Sequence, residues 1–265
     1  MNITREIAFI EKKTDSHFSK IASTYRDLRT TDSEHIQYIK NNLEKKSEIH
    51  IADVGCGDGR YSLELLRCLK DRCYICCIDS NEDMLMNLKD YLTENNTTNF
   101  CIRPGNASKL PLENDTMDCI VTFNAIHHFE IQKFLAEVQE CLKDNGCLFV
   151  YTRLRSQNCK SIWGKYFPIF ADTEDRLYEL SELDQHIQNA GMSIRSTKTF
   201  THLRTSTLDR LIHQAQNHHY STFSLYDQET FDESLTIFQQ NIKKNFTNLE
   251  KITWHDENIL LEIEK

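Results

Sequence analysis

The stretch IHIADVGCGDGRYSLELL, residues 49 to 66, decides how this chain is read. An apolar run ends at Val54, glycines follow at 55, 57 and 59, and a run with helical spacing begins near Arg60. Glycine tolerates the positive φ angles of a tight turn and leaves the backbone bare for the close approach of a ligand. A strand, such a loop and a helix N-terminus, in that order, turn backbone amides toward a nucleotide-like molecule. Without a ligand the same loop would be a strained βα turn, so the glycines alone leave two readings open.

Asp79, at the end of the next apolar run YICCID, narrows the choice. A carboxylate at the tip of a second strand is placed to accept hydrogen bonds from both hydroxyls of a ribose. On its own it could equally cap the helical segment SNEDMLMNL, and Ser80 could serve instead.

Further out, short apolar runs at 50–54, 74–78, 99–102, 118–123 and 147–152 alternate with helical candidates at 59–70, 81–94 and 130–143. The last of these is expected to stop in KDNG, with Gly146 as the helix-ending residue. Buried strands alternating with helices predict a parallel sheet covered on both faces. An amphipathic helix is expected over 14–29, with Phe18, Ile21, Ala22 and Tyr25 at helical spacing. Beyond residue 152 come the aromatic segment SIWGKYFPIF, a helix near 179–190 ended at Gly191, and a strand at 192–200. Helical segments near 206–217 and 227–246 then precede a final strand at 258–264, so the late helices form an insertion between the last two strands. The chain thus divides into an N-terminal helical lid (1–45), a cofactor-binding core (46–152) and a region (153–265) that completes the sheet and covers the substrate.

Composition excludes some functions. Lys and Arg number 31 against 40 Asp and Glu, a net charge of −9, which argues against a broad phosphate-binding surface and so against a nucleic-acid partner. No apolar stretch reaches the roughly 18 residues of a membrane span, so a cytoplasmic protein with no membrane association is expected, as a monomer or homodimer. The ten cysteines are expected to stay reduced, and most lie inside apolar runs as small hydrophobes. Cys73 and Cys76 have CxxC spacing but fall in a strand, where metal ligation lacks its turn. The adjacent His218 and His219 would point about 100° apart on a helix, so no metal site is expected.

The segments HIADVGCGDGRYSLELL, CIDSNEDML, GNASKLPLENDTMDCIVTFNAIHHF and EVQECLKDNGCLFVYTR together resemble the class I S-adenosylmethionine-dependent methyltransferases, of the ubiquinone-biosynthesis and trans-aconitate type. The resemblance covers residues 14 to about 152. It implies a Rossmann-like, doubly wound α/β fold whose seven-stranded sheet is parallel except for its last strand. It also implies S-adenosyl-L-methionine as cofactor, with Gly55 and Gly57 bounding its methionine part, Asp53 supporting its ammonium group and Asp79 taking the ribose hydroxyls. Cys56, Gly59 and Ser80 complete those two loops. Asn106 and Ala107 would meet the adenine edge, Asn106 replacing the family's usual acid; Asn124 would line the methionine end, and Tyr25, with Arg29, would belong to the lid. A nicotinamide dehydrogenase would carry GxGxxG, whereas this loop reads GxGxG.

Methyl transfer needs a base only where the acceptor must lose a proton. His127 and His128, after the fourth strand, are the candidates, with a shape or hydrogen-bonding role as the alternative. For a small-molecule acceptor, Trp163, Tyr166 and Phe167 are candidates for an aromatic wall or for a seal of the insertion onto the sheet. Arg204 could clamp a carboxylate, and Tyr220 lies in the histidine-flanked segment NHHYSTFSLYD. A tRNA or protein methyltransferase and a non-catalytic cofactor-binding protein are the alternatives.

Overall fold

The computed structural model describes residue 19, residues 28–44 and residues 46–265. The expected helix over 14–29, and Tyr25 with it, lies almost wholly outside these residues. In chain order the elements are α1 (Glu34–Leu43), β1 (Ile49–Val54), α2 (Arg60–Leu69), β2 (Cys73–Asp79), α3 (Glu82–Glu94), β3 (Phe100–Pro104), β4 (Met117–Phe123), α4 (Ile131–Cys141) and β5 (Leu142–Thr152). Then follow α5 (Arg155–Lys160), α6 (Ile162–Tyr166), α7 (Phe170–Thr173), α8 (Leu180–Asn189), β6 (Ser193–Ser206), α9 (Leu208–Gln216), α10 (Gln228–Asn245) and β7 (Ile252–Glu264). Among the described residues no helix is long and apolar enough to cross a membrane.

The seven strands form one sheet in the order β3-β2-β1-β4-β5-β7-β6. β1 pairs in parallel with both β2 and β4, β2 with β3, and β4 with β5, while β7 runs antiparallel to β5 with Val150 opposite Leu261. The Rossmann-like fold, its reversed last strand and the insertion of α9 and α10 between β6 and β7 are as the sequence predicts. The order reverses at β1, whose neighbours are β2 on one side and β4 on the other. In open α/β sheets the crevice beyond the carboxyl ends of strands at such a point is where ligands bind.

The chain folds as two compact units. The first comprises Thr30–Thr152, Leu180–Phe200 and Ile259–Lys265. Its core explains the apolar runs, for Ile51, Cys77, Val121, Phe149 and Leu260 are buried against Leu63, Leu66 and Leu88 of the covering helices. Cys73 and Cys76 are buried on β2, as free thiols that fill space. Helix α1 joins the core through Ile36, Ile39 and Leu43, and His35 stacks on Tyr151 with 3.7 Å between ring centroids.

Gly146 does not end a helix. α4 stops at Cys141, β5 starts at the next residue, and Gly146 lies inside β5 where the register against β4 shifts between Met117 and Cys119. A Cβ there would come within 2.9 Å of the Lys143 carbonyl oxygen and 3.1 Å of that of Met117, so the bulge requires bare backbone.

The second unit comprises Arg153–Glu179, Thr201–Asn258 and the described residues up to Arg29. Its core is aromatic: Trp163 stacks on Phe238 at 4.9 Å, and Phe167, Phe170, Phe223 and Phe231 surround them. SIWGKYFPIF therefore contributes to short helices that make a core. Trp163 and Phe167 are only 3% and 2% exposed, so of the two readings of this segment their burial favours packing over a pocket wall. Buried Glu174 takes the Arg176 guanidinium and the Thr222 hydroxyl within the same unit.

Helix packing sets one glycine. Gly59 has φ +80°, and a Cβ there would lie 2.7 Å from Leu88 Cγ. Gly59→Ala is expected to lower stability by roughly 2–4 kcal/mol, combining left-handed strain with overpacking. Leu88→Ala, which opens the space, should cost less in that background than in the wild type. Urea melts of the four variants check this, and additive costs would refute the proposed clash.

Candidate active site at the carboxyl ends of the parallel strands

The loop after β1 is held by β2. The amides of Gly55 and Cys56 both donate to the Ile78 carbonyl, at 2.8 and 3.2 Å, and the Gly57 amide donates to Asp79 Oδ2 at 2.8 Å. Gly55 and Gly57 adopt φ +71° and +54°. The glycines differ in what surrounds them. A Cβ at Gly55 would meet Ala125 Cβ at 2.6 Å, and one at Gly59 would strike Leu88, but at Gly57 none of the described residues lies within 4 Å. Gly57 is thus where bare backbone faces open space, the cradle that a ligand needs.

Asp79 does not cap a helix, and neither does Ser80. The cap of α3 is Asn81, whose side chain accepts from the Met84 amide at 3.0 Å, with Glu82 and Asp83 in the first turn. Asp79 instead bridges two loops, since its Oδ1 accepts from the Asn81 amide at 2.9 Å while Oδ2 holds Gly57. Each carboxylate oxygen carries two lone pairs, so each can accept from more than one donor.

Asp53 sits one strand away, in register with Cys77 of β2 and Val121 of β4. It is 1% exposed; Ser62 donates to its Oδ2 at 2.6 Å, and its buried Oδ1 has no hydrogen-bond partner among the described residues. Burial pushes its carboxyl up to about 7; the Ser62 hydrogen bond opposes this, and the charge of Asp79 adds to it. A buried acid with an unsatisfied oxygen invites a cation, which would stabilise its ionised form. Cys56, beside Cys77, has its thiol driven up by burial and by that neighbour, so it acts here as a neutral wall rather than a nucleophile.

The remaining loops come from β3 and β4. Asn106 is exposed in a tight turn, its Oδ1 accepting from the Ser108 amide at 2.8 Å, and Ala107 beside it is buried. The Asn106 amide oxygen therefore already serves the turn and has one lone pair left for a ligand donor. Asn124 takes φ +54°, a conformation asparagine tolerates, and its amide donates to the Tyr151 carbonyl at 2.7 Å. A short 3₁₀ turn, Ile126–His128, follows; buried Ile126 anchors it, leaving His127 and His128 half-buried with ring centroids 4.0 Å apart.

Sequence reasoning missed Asn81 and Ser62. Asn81 carried a legible signal, an asparagine directly before acidic first-turn residues. Ser62 carried none, because its pairing with Asp53 exists only once α2 packs on β1.

The residues anticipated for substrate all lie in the second unit. Tyr166 is half-buried, its ring 5.6 Å from that of Phe246. Arg204 is engaged by Asp256, whose Oδ2 lies 3.4 Å from Nε. The Tyr220 ring lies 4.4 Å from the Arg29 guanidinium.

Residues 51–146 match the family described as Methyltransferase domain. The uncharacterised methyltransferase YcgJ of Bacillus subtilis is 28% identical over 136 residues, 50% of this chain and 52% of that protein. The chain spans about half the length of the curated relatives it matches. The crystal structure of YcgJ superposes with a TM-score of 0.61 at 15% identity, covering 88% of this chain and 99% of that one. A SAM-dependent methyltransferase from Aquifex aeolicus gives 0.55 at 18% identity over 70% and 92% of the two chains. Phosphoethanolamine N-methyltransferase 2 of Haemonchus contortus, solved with phosphomonomethylethanolamine and S-adenosylhomocysteine, gives 0.54 at 12% identity over 88% and 52%. Residues 51–146 are thus similar in sequence to a methyltransferase domain, and the fold of the chain is similar to that of solved methyltransferase structures.

Proposed function

We propose that the chain transfers a methyl group from S-adenosyl-L-methionine to an oxygen, nitrogen or carbon atom of a small-molecule acceptor. The observation that carries this reading is the arrangement at the reversal of strand order: open backbone at Gly57, a bridging carboxylate at Asp79, and the unsatisfied Asp53 Oδ1. These features suit a ligand with a ribose and an ammonium group. When bound, the cofactor supplies a methyl group already activated by its sulfonium.

The chain's own residues then have positional work. Asp79 would accept the ribose hydroxyls, and Asp53 would hold the ammonium end. The Asn106 amide oxygen and Ala107 would flank the adenine, and the left-handed turn at Asn124 directs the chain past the methionine end. Orienting an acceptor in line and excluding water supply much of the rate for such a displacement. The paired rings of His127 and His128 offer an imidazole nitrogen that could take a proton from an acceptor that must lose one. A tRNA target fits less well with a net charge of −9. The transfer reading is tested with labelled cofactor and a metabolite extract. Label in a small molecule supports it; label in RNA or protein alone would redirect it, and cofactor binding without transfer would mark a non-catalytic protein.

Thermal unfolding tests the cofactor. At about 100 times its dissociation constant a ligand stabilises by about 2.7 kcal/mol, so the methyl donor or its demethylated product should raise Tm clearly while NAD does not. Asp79→Asn should weaken binding by about 10-fold or more, through loss of charge-assisted acceptors. Because Asp79 also braces two loops, its variant should melt lower even without ligand. An unchanged affinity would remove Asp79 from the site.

Asp53 predicts a pH dependence. Its pKa is raised by folding from 3.8 to about 7, so the native state binds the extra proton between these values. The favourable contribution is complete below the unfolded value and is lost as pH rises toward 7. Relative to Asp53→Asn, the ligand-free wild type should therefore lose stability steadily between about pH 4 and 7. Binding the cofactor's cation should ionise Asp53 and release a proton near pH 6. Calorimetry in two buffers of different ionisation enthalpy reads that proton, and equal release from Asp53→Asn would assign it elsewhere.

A further inference from the structure

Three cysteines lie close together on β2, and a fourth lies on its neighbour β3. Side chains of a strand alternate between the two faces of its sheet. Cys73 and Cys77 therefore share the face of Ile75, where all three are buried in the core of the first unit, and Cys76 points to the opposite face. β3 pairs in parallel with β2, and in that register Cys76 stands directly beside Cys101 while Cys77 stands beside Ile102. Of the three thiols on β2, Cys76 alone shares both a face and a ladder position with Cys101. Both are free thiols, Cys76 only 4% exposed and Cys101 partly exposed.

The spacing suits a covalent link. Neighbouring strands lie about 4.8 Å apart, within the roughly 4.4–6.8 Å that separates the Cα atoms of a disulfide. The two thiols already meet, for burial and a hydrogen bond with Cys101 raise the Cys76 thiol, against the charge of Arg103. A second in-register pair, Cys119 beside Cys147, joins β4 to β5. Cys119 is wholly buried, however, and β4 and β5 are each paired on both sides. β3 instead ends the strand order, so a shift that brings two sulfurs into bonding distance there disturbs one ladder rather than two.

We propose that Cys76 and Cys101 form a dithiol that a peroxide converts to a disulfide, a covalent staple between β2 and the edge strand β3. The partly exposed Cys101 reacts first: its sulfur attacks the peroxide O–O bond, giving a sulfenic acid and one water. The Cys76 sulfur then displaces hydroxide from that sulfur, and its own proton leaves with the hydroxide as a second water. The two thiols together lose two electrons, and the peroxide gains them. The stapled strands run directly into the candidate site, because Asp79 stands beside Pro104 three residues further along and the Gly105 amide donates to the Asp79 carbonyl at 3.0 Å. The pairing of β2 with β3 carries this inference, which does not depend on methyl transfer.

The full chain, reduced and then freed of reductant, is treated with a few equivalents of hydrogen peroxide under native conditions. Remaining thiols are blocked with N-ethylmaleimide, and the tryptic peptides are sequenced by tandem mass spectrometry. The expected result is an intramolecular link to Cys101, assigned to Cys76 by fragmentation between Cys76 and Cys77 and removed by dithiothreitol. The link should raise Tm by roughly 5–10 °C. In Cys76→Ser the resolving thiol is gone, so dimedone, which captures sulfenic acids, should label Cys101 several-fold more than in the wild type. A link from Cys101 to Cys73 or Cys77, linkage between molecules only, or oxidation of Cys101 to the sulfinic acid without a link would overturn the proposal. So would a pair that stays reduced while other thiols oxidise. Should Cys76→Ser fail to fold, the map of the wild type still decides.

Discussion

The hydrogen bond from the Gly57 amide to Asp79 Oδ2, 2.8 Å long, is the contact on which the candidate site depends. It joins the loop after β1 to the tip of β2, and the Ile78 carbonyl secures the two residues before it. Buried parallel strands offer a ligand only their ends, so whatever is recognised must be recognised by loops. Those loops need bracing, and here it takes the amides of Gly55, Cys56 and Gly57 themselves. An aspartate can brace two loops at once because each of its oxygens accepts an amide, Gly57 on one and Asn81 on the other.

The first half of the chain was legible because its signals are local. β1 was expected at 50–54 and spans Ile49–Val54; β4 was expected at 118–123 and spans Met117–Phe123. Helix α1 gave no such signal, since its preceding Ser33 makes no side-chain cap and neither glycine nor proline marks its ends. The strands β6 and β7 were read too short for a different reason. Their portions over 201–206 and 252–257 are polar and only partly buried, so a search for apolar runs stops before they begin. Gly146 was misread because a glycine that permits a close carbonyl contact in a bulge is indistinguishable, in sequence, from one that ends a helix.

The same division holds in the site. The glycine loop, Asp79 and Asn124 could be found because each sits at the end of an apolar run. The Asp53–Ser62 hydrogen bond, the burial of Trp163 and the sharing of Asp256 by two arginines arise only when distant segments meet. Aromatic composition in particular does not discriminate. Trp163 and Phe167 would read identically as a pocket wall, and it is their packing against Phe238 and Phe223 that makes them core.

Net charge and local charge act at different ranges, and this bears on which acceptor suits the chain. The total of −9 opposes a polyanion, whose phosphates extend well beyond any one cluster of arginines. Screening limits that unfavourable field to about 8–10 Å at ordinary ionic strength. A count of lysines and arginines over the whole sequence averages away such local arrangements, as the approach of both Arg153 and Arg204 to one oxygen of Asp256 illustrates.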